Sequence, residues 1–267
     1  MGPLLHESGN RPSYHVRFLA LIFGFLFLSS TLHAQLATAA DVPDAPKPEP
    51  VVVAVGGTAP PEHTDPQTKR ILGIFPNFRA VSAETHLPPQ SVPEKFVTAS
   101  QDSFDYSAIF LPAALAGESE LTNATPEFHS GWAGYGRYFW HTWVDQTSEN
   151  YLVEFIVPTL TREDARYYTM GPGGGRKLKR IGYALSRAVV TRNDAGRDTF
   201  NVSEVVGAGA AAGISNFYYP RPERTFANTA DKWSVNVGVD AASFIIREFW
   251  PDINHYLFHG SVPMANH

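Results

Sequence analysis

The chain has 267 residues, a formal net charge of −5 and no cysteine, and 43% of its residues are hydrophobic. The lack of cysteine excludes disulfides, thiolate metal sites and a cysteine nucleophile, and the acidic balance gives no indication of nucleic-acid binding. This length and composition are those of a globular protein with one large core or two small ones.

Residues 1–34 have the pattern of an export signal. Arg11 and Arg17 precede or open an uncharged apolar run over residues 18–28, and small residues follow up to Ala34. We expect cleavage after Ala34, with a second site after Ala39. The alternative is an uncleaved N-terminal membrane anchor, although the run is shorter than the ~20 residues of a full span. The predicted location is the periplasm or another part of the cell envelope.

Residues 35–92 are predicted to be a Pro-rich linker followed by an extended segment. The linker, up to residue 70, is rich in proline and acid and has no helical period, so we expect it to be disordered. It would serve as a tether, or simply as an N-terminus with no such role. In the extended segment, Phe75 and Phe78 are predicted to pack on the core.

From residue 93 to residue 260 the sequence predicts an all-α domain, a compact helical bundle. No alternation of apolar and polar residues is long enough to require a sheet. The predicted helices are a short one from Pro93, one over 103–117 with a kink or break at Pro112, an aromatic one over 132–156, a short one capped by Thr161, a basic one over 176–192, one within 200–220, and one over 229–250.

The helix within residues 200–220 is predicted to be central, because it consists almost wholly of small or branched uncharged residues. Asn201 and Glu204 have the spacing of a capping box. Gly209 and Gly213 lie four residues apart on one face, which favours close packing of a neighbouring helix. The segment is too short for a membrane span.

Aromatic residues recur at helical spacing between Trp132 and Trp143. Such a stripe is typical of a core-facing helix, and a face that stacks on a ligand is the alternative. The second interpretation would fit a carrier with an apolar cavity beside Trp132, Phe139 and Gly209.

Five motifs follow one another in a specific order: GYGRYFWHTW, EDARYY, IGYALSRAVVTR, FNVSEVVGAGAAAGISNFYYP and EFWPDI. In these motifs the chain resembles a family of exported bacterial proteins of unknown function. The resemblance covers roughly residues 93–259, and it implies that this helical region is one recurring unit with the linker outside it. It implies no catalytic residues.

The basic helix is a candidate surface for anionic lipid headgroups or an acidic envelope polymer. The alternative is a solvated face on which some arginines pair with acids of other helices. The glycine-rich loop over 171–175 lacks the spacing of a nucleotide-binding P-loop, so no nucleotide is predicted. The candidate binding residues are Arg176, Lys177, Lys179, Arg180 and Arg187.

Acid–base chemistry is the second candidate activity. Glu154 lies in an apolar run, where burial would raise the pKa of its carboxyl, and Asp164 and Arg166 precede two tyrosines. Two further sets have zinc-ligand residue types at helical spacing but lack the H-E-x-x-H arrangement, so neither a metal nor another cofactor is predicted. These sets are His141, Asp145 and Glu149, and Asp252, His255 and His259.

The leading hypothesis is therefore an exported, non-enzymatic structural or interaction protein of the cell envelope that contacts membrane through the basic helix. The first alternative is an envelope hydrolase or transferase with acid–base residues in a helical cleft. The second is a carrier of a lipid or another apolar ligand. The sequence identifies no specific protein partner.

Overall fold

The computed structural model describes residues 67–82, residue 85 and residues 87–258. The predicted export signal, most of the linker and His259 lie outside the described residues. The described part is mostly helical and also contains short strands, so the expectation of a purely all-α domain is wrong.

The helices run through the chain in the order α1 (Val92–Phe104), α2 (Phe110–Leu121), α3 (Trp132–Asn150), α4 (Val157–Thr161), α5 (Lys177–Ser186), α6 (Ala208–Ser215) and α7 (Phe226–Phe258). The strands are β1 (Arg70–Ile71), β2 (Phe75–Pro76), β3 (Ala80–Val81), β4 (Glu163–Asp164), β5 (Tyr167–Tyr168), β6 (Val190–Asn193) and β7 (Asp198–Phe200). Single 3₁₀ turns lie at Pro126–Phe128, Pro172–Gly174 and Arg221–Glu223.

Short strands replace helix at two predicted positions. Arg162 has a left-handed backbone (φ 57°) and ends α4, and β4 then pairs antiparallel with β6, which pairs with β7. The helix predicted to start at Thr161 therefore ends there, and the basic helix ends at Ser186 instead of Arg192. Strands of two to four residues are too short to produce a visible alternation, which explains why the sequence did not indicate them.

The boundary between the first two predicted helices also differs from the prediction. The chain turns between Phe104 and Phe110, so residues 103–117 do not form one helix. Pro112 lies in the first turn of α2, where an amide hydrogen has no helical acceptor, and it is tolerated there for that reason.

The extended segment is part of the folded body. The indole Nε1 of Trp250 donates to the hydroxyl of Thr68 at 2.5 Å, and β3 pairs in parallel with β5. The folded body therefore begins before Pro93. Both phenylalanines were predicted to pack on the core. Phe75 is exposed, so the prediction is wrong for this residue, while Phe78 is half-buried.

Two small apolar clusters form the core between the helices. One joins α2, α3 and the chain after α6, and the other joins β5, α5 and α7. The small residues of α6 allow it to pack between α3 and α7, so the predicted central position of this helix agrees with the structure. The cluster residues are Ala116, Phe128, Tyr138 and Tyr219, and Tyr167, Ala184, Ala188 and Phe244.

The backbone widens into a π helix at two places that pack against each other, Tyr151–Ile156 and Ser203–Gly207, here called the first and second π segments. Pro158 has no amide hydrogen, which removes the α-helical donor for the carbonyl four residues earlier and favours the first of these bulges. Asn201 Oδ1 caps the second segment by accepting from the amide of Glu204 at 2.9 Å. The carboxyl of Glu204 does not complete the predicted capping box, since it turns into the interior.

Among the glycines of the segment 207–213, the closest contact with another helical segment lies at Gly207 and not at the two glycines predicted from the sequence. A β-carbon at Gly207 would come within 3.2 Å of Val153 Cγ2 and 3.3 Å of the carbonyl carbon of Leu152. At Gly209 it would lie at an ordinary 3.5 Å from the Trp233 indole, and at Gly213 it would meet no atom within 4 Å. Gly209 is therefore a moderate contact, and Gly213 is not a packing position.

We expect Gly207→Ala to lower the free energy of unfolding by about 1–3 kcal/mol, because the added methyl overpacks the crossing of the two π segments. Gly213→Ala is the matched control in α6, and it should raise stability by up to about 1 kcal/mol because alanine favours helix and the space there is open. Urea denaturation of both variants measures the difference. Equal effects would contradict the close contact at Gly207.

Candidate functional site

A network of ionisable side chains fills the interior between α1, the two π segments and α7. Arg79 is buried and donates from Nη1 to Glu154 at 2.6 Å and from Nε to the Ala165 carbonyl at 2.9 Å. The remaining members interact electrostatically with this pair, so five carboxyl groups and two guanidinium groups share one region. They are Asp102, Glu149, Glu154, Glu204 and Asp240, with Arg79 and Arg247.

Two of these carboxyl groups lack a cationic hydrogen-bond partner. Both oxygens of Glu204, and Oε1 of Glu149, are buried with no N–H or O–H donor. Burial raises the pKa of each of these groups well above the usual value, and the neighbouring Asp240 adds to the effect. Burial among these acids therefore favours the neutral form of the Glu204 carboxyl.

Of the predicted acid–base residues, Glu154 belongs to this network and is paired with Arg79, whereas Asp164 and Arg166 lie beside the network and are paired with each other. Asp164 accepts from Arg166 Nε at 2.8 Å and from the Tyr168 hydroxyl at 2.7 Å. The cavity beside Asp164, Arg166 and Glu204 has a volume of about 20 Å³. That space holds a water molecule and no organic substrate, so this cavity offers no substrate site beside Asp164 and Arg166.

The basic helix divides into an exposed part and an internal part. Arg176, Lys177 and Lys179 are exposed. Arg180 is buried and bonds Glu248 at 2.8 Å and Asp252 at 2.7 Å, and the largely buried Arg187 pairs with Asp198 at 3.2 Å. The prediction of five surface residues is therefore wrong for Arg180 and Arg187, because acids of α7 and β7 neutralise them.

Six half-exposed rings lie on β2, α1, the turn that follows α1, α2 and α3. The rings of Phe104 and Trp143 meet at 6.1 Å, those of Phe75 and Phe110 at 6.0 Å, and the Tyr106 hydroxyl donates to the carbonyl of Gly73 at 3.2 Å. We call this set the aromatic surface. It consists of Phe75, Phe96, Phe104, Tyr106, Phe110 and Trp143.

The aromatic stripe of α3 faces the core only in part, since Tyr135 and Phe139 pack against the first apolar cluster. Trp132 is 93% exposed, and Trp140 and Trp143 are also exposed in part. Trp132 cannot line an internal apolar cavity at this exposure, and the indole of Trp233 packs on Gly209. These positions do not support the cavity that a carrier of apolar ligands would need beside Trp132 and Gly209.

A cleft of about 150 Å³ opens between α2, α3 and the first half of α7. Lys232 lines it, with Nζ 3.0 Å from the Ser215 hydroxyl and 3.5 Å from Asp145 Oδ2. Asp145 also accepts from the hydroxyls of Tyr218 and Tyr219, the latter at 2.7 Å. Burial lowers the pKa of Lys232 to about 8, although Asp145 opposes the shift.

The residues weighed as metal ligands have other partners. His141 Nδ1 lies 2.7 Å from the Arg137 carbonyl, Asp145 is bound by the two tyrosines, and Glu149 belongs to the interior network. Asp252 pairs with Arg180. Within the residues that the structure describes, no group of three or more histidines and acids is arranged to hold a metal ion. None of the helices in that part of the chain has the length and apolarity of a membrane span.

Neither Lys232 nor the aromatic surface carries a sequence signal that marks it as functional. Lys232 has no motif around it, and its burial depends on Ser215, Asp145 and Tyr219, which lie far away along the chain. The exposure of the rings depends on which side of α1 and α3 receives a neighbour, and periodicity does not determine that. Comparison with known proteins finds no matching family model, no similar curated protein and no similar solved structure.

Proposed function

We propose that the chain is an exported interaction protein of the cell envelope that docks peripherally on a lipid bilayer through the aromatic surface. This proposal keeps the expected envelope location and changes the contact region from the basic helix to the rings around Phe104. The chain's membership of the exported bacterial family that its motifs resemble is a proposal of the same kind.

The observation that carries the proposal is the exposure of six aromatic side chains on one surface. Phe104 is 58% exposed, Tyr106 61% and Phe110 50%, with aliphatic neighbours such as Ile109 at 49%. Large contiguous apolar patches are rare on proteins that act as isolated monomers, and they mark contacts with other molecules or with membrane. Leaving these rings in water forgoes about 25 cal/mol per Å² of apolar area.

The bilayer is the favoured partner because of the chemistry of these rings and the neutralised charges among them. Tryptophan and tyrosine are enriched where membrane meets water, since one end of each ring system is apolar and the other polar. Arg70 and Asp105 lie among the rings and neutralise each other at 2.5 Å. The β1–β2 hairpin, the first described element, contributes Phe75 to this surface.

Electrostatic attraction is expected to contribute less than the aromatic surface does. Only Arg176, Lys177 and Lys179 of the five predicted basic residues are exposed. A juxtamembrane lysine or arginine adds about 1 kcal/mol of attraction to an anionic leaflet. Binding should therefore fall only modestly when salt is raised.

The test is sedimentation of residues 35–267, the predicted exported product, with vesicles of phosphatidylcholine and phosphatidylglycerol. Phe96→Ser with Phe104→Ser should weaken vesicle binding by tenfold or more, since each half-exposed ring that enters the membrane contributes on the order of 1–2 kcal/mol. Circular dichroism should show unchanged helix content, because both residues are half-exposed and neither belongs to the two core clusters.

Leu178→Ser is the control, since Leu178 is an exposed apolar residue of α5 outside the aromatic surface. It should leave binding unchanged. Loss of binding in Leu178→Ser equal to that of the double variant would contradict the proposal. A stable dimer that dissociates in the double variant, with no vesicle binding by the parent chain, would instead assign the surface to a second copy.

A further inference from the structure

The cleft beside Lys232 is independent of the aromatic surface and has the features of a reaction site. The partly buried amine of Lys232 lines a cleft that solvent reaches, and the Lys232 side chain retains 27% exposure. Desolvation of a lysine is one of the ways in which proteins obtain a neutral, nucleophilic amine. A lysine held only as a structural ion-pair partner needs no such opening.

The partners of Asp145 explain why the ammonium form is weakly stabilised. Two phenol hydroxyls, from Tyr218 and Tyr219, donate to this carboxylate. They share its negative charge, so less of that charge acts on Lys232 at 3.5 Å. The ammonium therefore loses hydration without gaining a full ion pair.

The other ionisable groups around the cleft determine which ligands it can admit. Acidic side chains outnumber the single cation Lys232, so an anionic ligand would be repelled, and a small uncharged ligand fits the volume. Groups that face or influence the amine come from α2, α3, the chain after α6 and α7 itself. They are Glu118, His141, Asp145, Tyr218, Tyr219, Glu223 and Asp231.

We propose that Lys232 is a carbonyl-binding residue and that the cleft takes a small uncharged aldehyde or ketone as an imine. The neutral amine nitrogen forms a bond to the carbonyl carbon as the C=O π electrons move to the oxygen, and Asp145 carries one N–H proton to that oxygen to give the neutral carbinolamine. Asp145 then carries the second N–H proton to the hydroxyl, and the C–O bond breaks as the nitrogen electron pair forms the C=N bond. One water leaves, a C=N bond replaces the C=O bond, and no oxidant or reductant is consumed.

The test is reductive trapping with acetaldehyde and sodium cyanoborohydride on the purified chain, followed by peptide mass spectrometry. At pH 8 the ethyl adduct should form on Lys232 at least tenfold faster than on Lys177, an exposed lysine of α5 in the same molecule. Lys232→Arg should remove this adduct and leave that of Lys177 unchanged. Modification of Lys232 at the same rate as Lys177, or more slowly, would overturn the proposal.

A second variant separates a reactive amine from a structural one even if Lys232→Arg folds poorly. Tyr219→Phe removes one donor from Asp145 and leaves the ring beneath Lys232 in place. The strengthened carboxylate should stabilise the ammonium, so the pH at which trapping on Lys232 is half-maximal should rise. An unchanged midpoint would contradict the inference that Asp145 controls how readily the Lys232 amine is protonated.

Discussion

Arg180→Met is expected to lower the free energy of unfolding by about 3–5 kcal/mol, because it leaves a buried carboxylate without its cation. Glu248 is fully buried and accepts from Arg180 Nε at 2.8 Å, the Tyr167 hydroxyl at 2.8 Å and the Met170 amide at 2.9 Å. Arg180 Nη2 also bonds the Glu248 carbonyl at 2.7 Å. The substitution therefore removes the hydrogen bonds that join α5 to α7 and leaves an unpaired carboxylate buried between the two helices.

Lys179→Met is the matched control one residue earlier, on the exposed side of the same helix. It should change stability by less than about 0.5 kcal/mol, as surface substitutions usually do. Guanidinium denaturation monitored by circular dichroism measures both variants. Similar small losses would mean that Arg180 is a surface residue after all, as the sequence had suggested, and that the contact with Glu248 contributes little.

The second large effect is a loss of stability as pH rises. The carboxyl groups of Glu149 and Glu204 have raised pKa values in the folded chain, and burial raises that of Glu154 to about 8 despite the attraction of Arg79. The folded state therefore keeps protons that the unfolded chain releases above about pH 4.5. Each such group lowers the free energy of unfolding by ~1.4 kcal/mol per pH unit until its folded pKa is passed.

The pH interval of the measurement should exclude the ranges in which other side chains make the protein more stable as pH rises. Burial lowers the pKa of His141 and that of Lys232, so their contributions increase stability with rising pH, mainly below about pH 6.5 for the histidine and above about pH 8 for the lysine. Thermal unfolding should therefore be compared between pH 6.5 and pH 8. We expect the melting temperature to fall steadily across this interval.

Glu204→Gln tests which groups cause the fall. Glutamine has the shape of a protonated glutamate and cannot ionise, so the variant should be more stable than the parent at pH 8. Its free energy of unfolding should fall less steeply with pH than that of the parent, by ~1.4 kcal/mol per pH unit. Glu94→Gln, at an exposed carboxyl of α1, is the control and should retain the parent slope. A parent protein whose stability is flat or rises over this interval would show that Glu204 and Glu149 are ionised.

Local sequence signals predicted the helices well and their interior contacts poorly. The cap at Asn201, the long aromatic helix that passes into the first π segment, and the small-residue helix were all visible in the sequence, because capping residues and apolar periodicity are local. The strands β4 and β6 were not visible, since each is short and the two pair with each other across 28 to 30 residues of chain.

At the candidate site, the partners of the charged side chains could not be predicted from local sequence signals either. The sequence identified Glu154 as a buried acid, and it is buried, but its partner Arg79 lies 75 residues away in a segment predicted to be extended. Arg180 and Lys179 look equivalent in sequence, and only the position of α7 makes one internal and the other exposed. Gly207 was overlooked because its contact, Leu152–Val153, comes from another helix.

The most direct test of bilayer docking through the aromatic surface uses the absence of cysteine from the chain, which allows a single spin label to be placed at will. Val97→Cys places a nitroxide beside Phe96 at a half-exposed position of α1, and Lys177→Cys places one on the basic helix. On addition of vesicles, electron paramagnetic resonance should show the label at residue 97 gaining accessibility to oxygen and losing accessibility to a water-soluble nickel complex. The label at residue 177 should stay in water. Entry of the label at residue 177 while that at residue 97 remains hydrated, or no change at either position, would contradict docking through the aromatic surface.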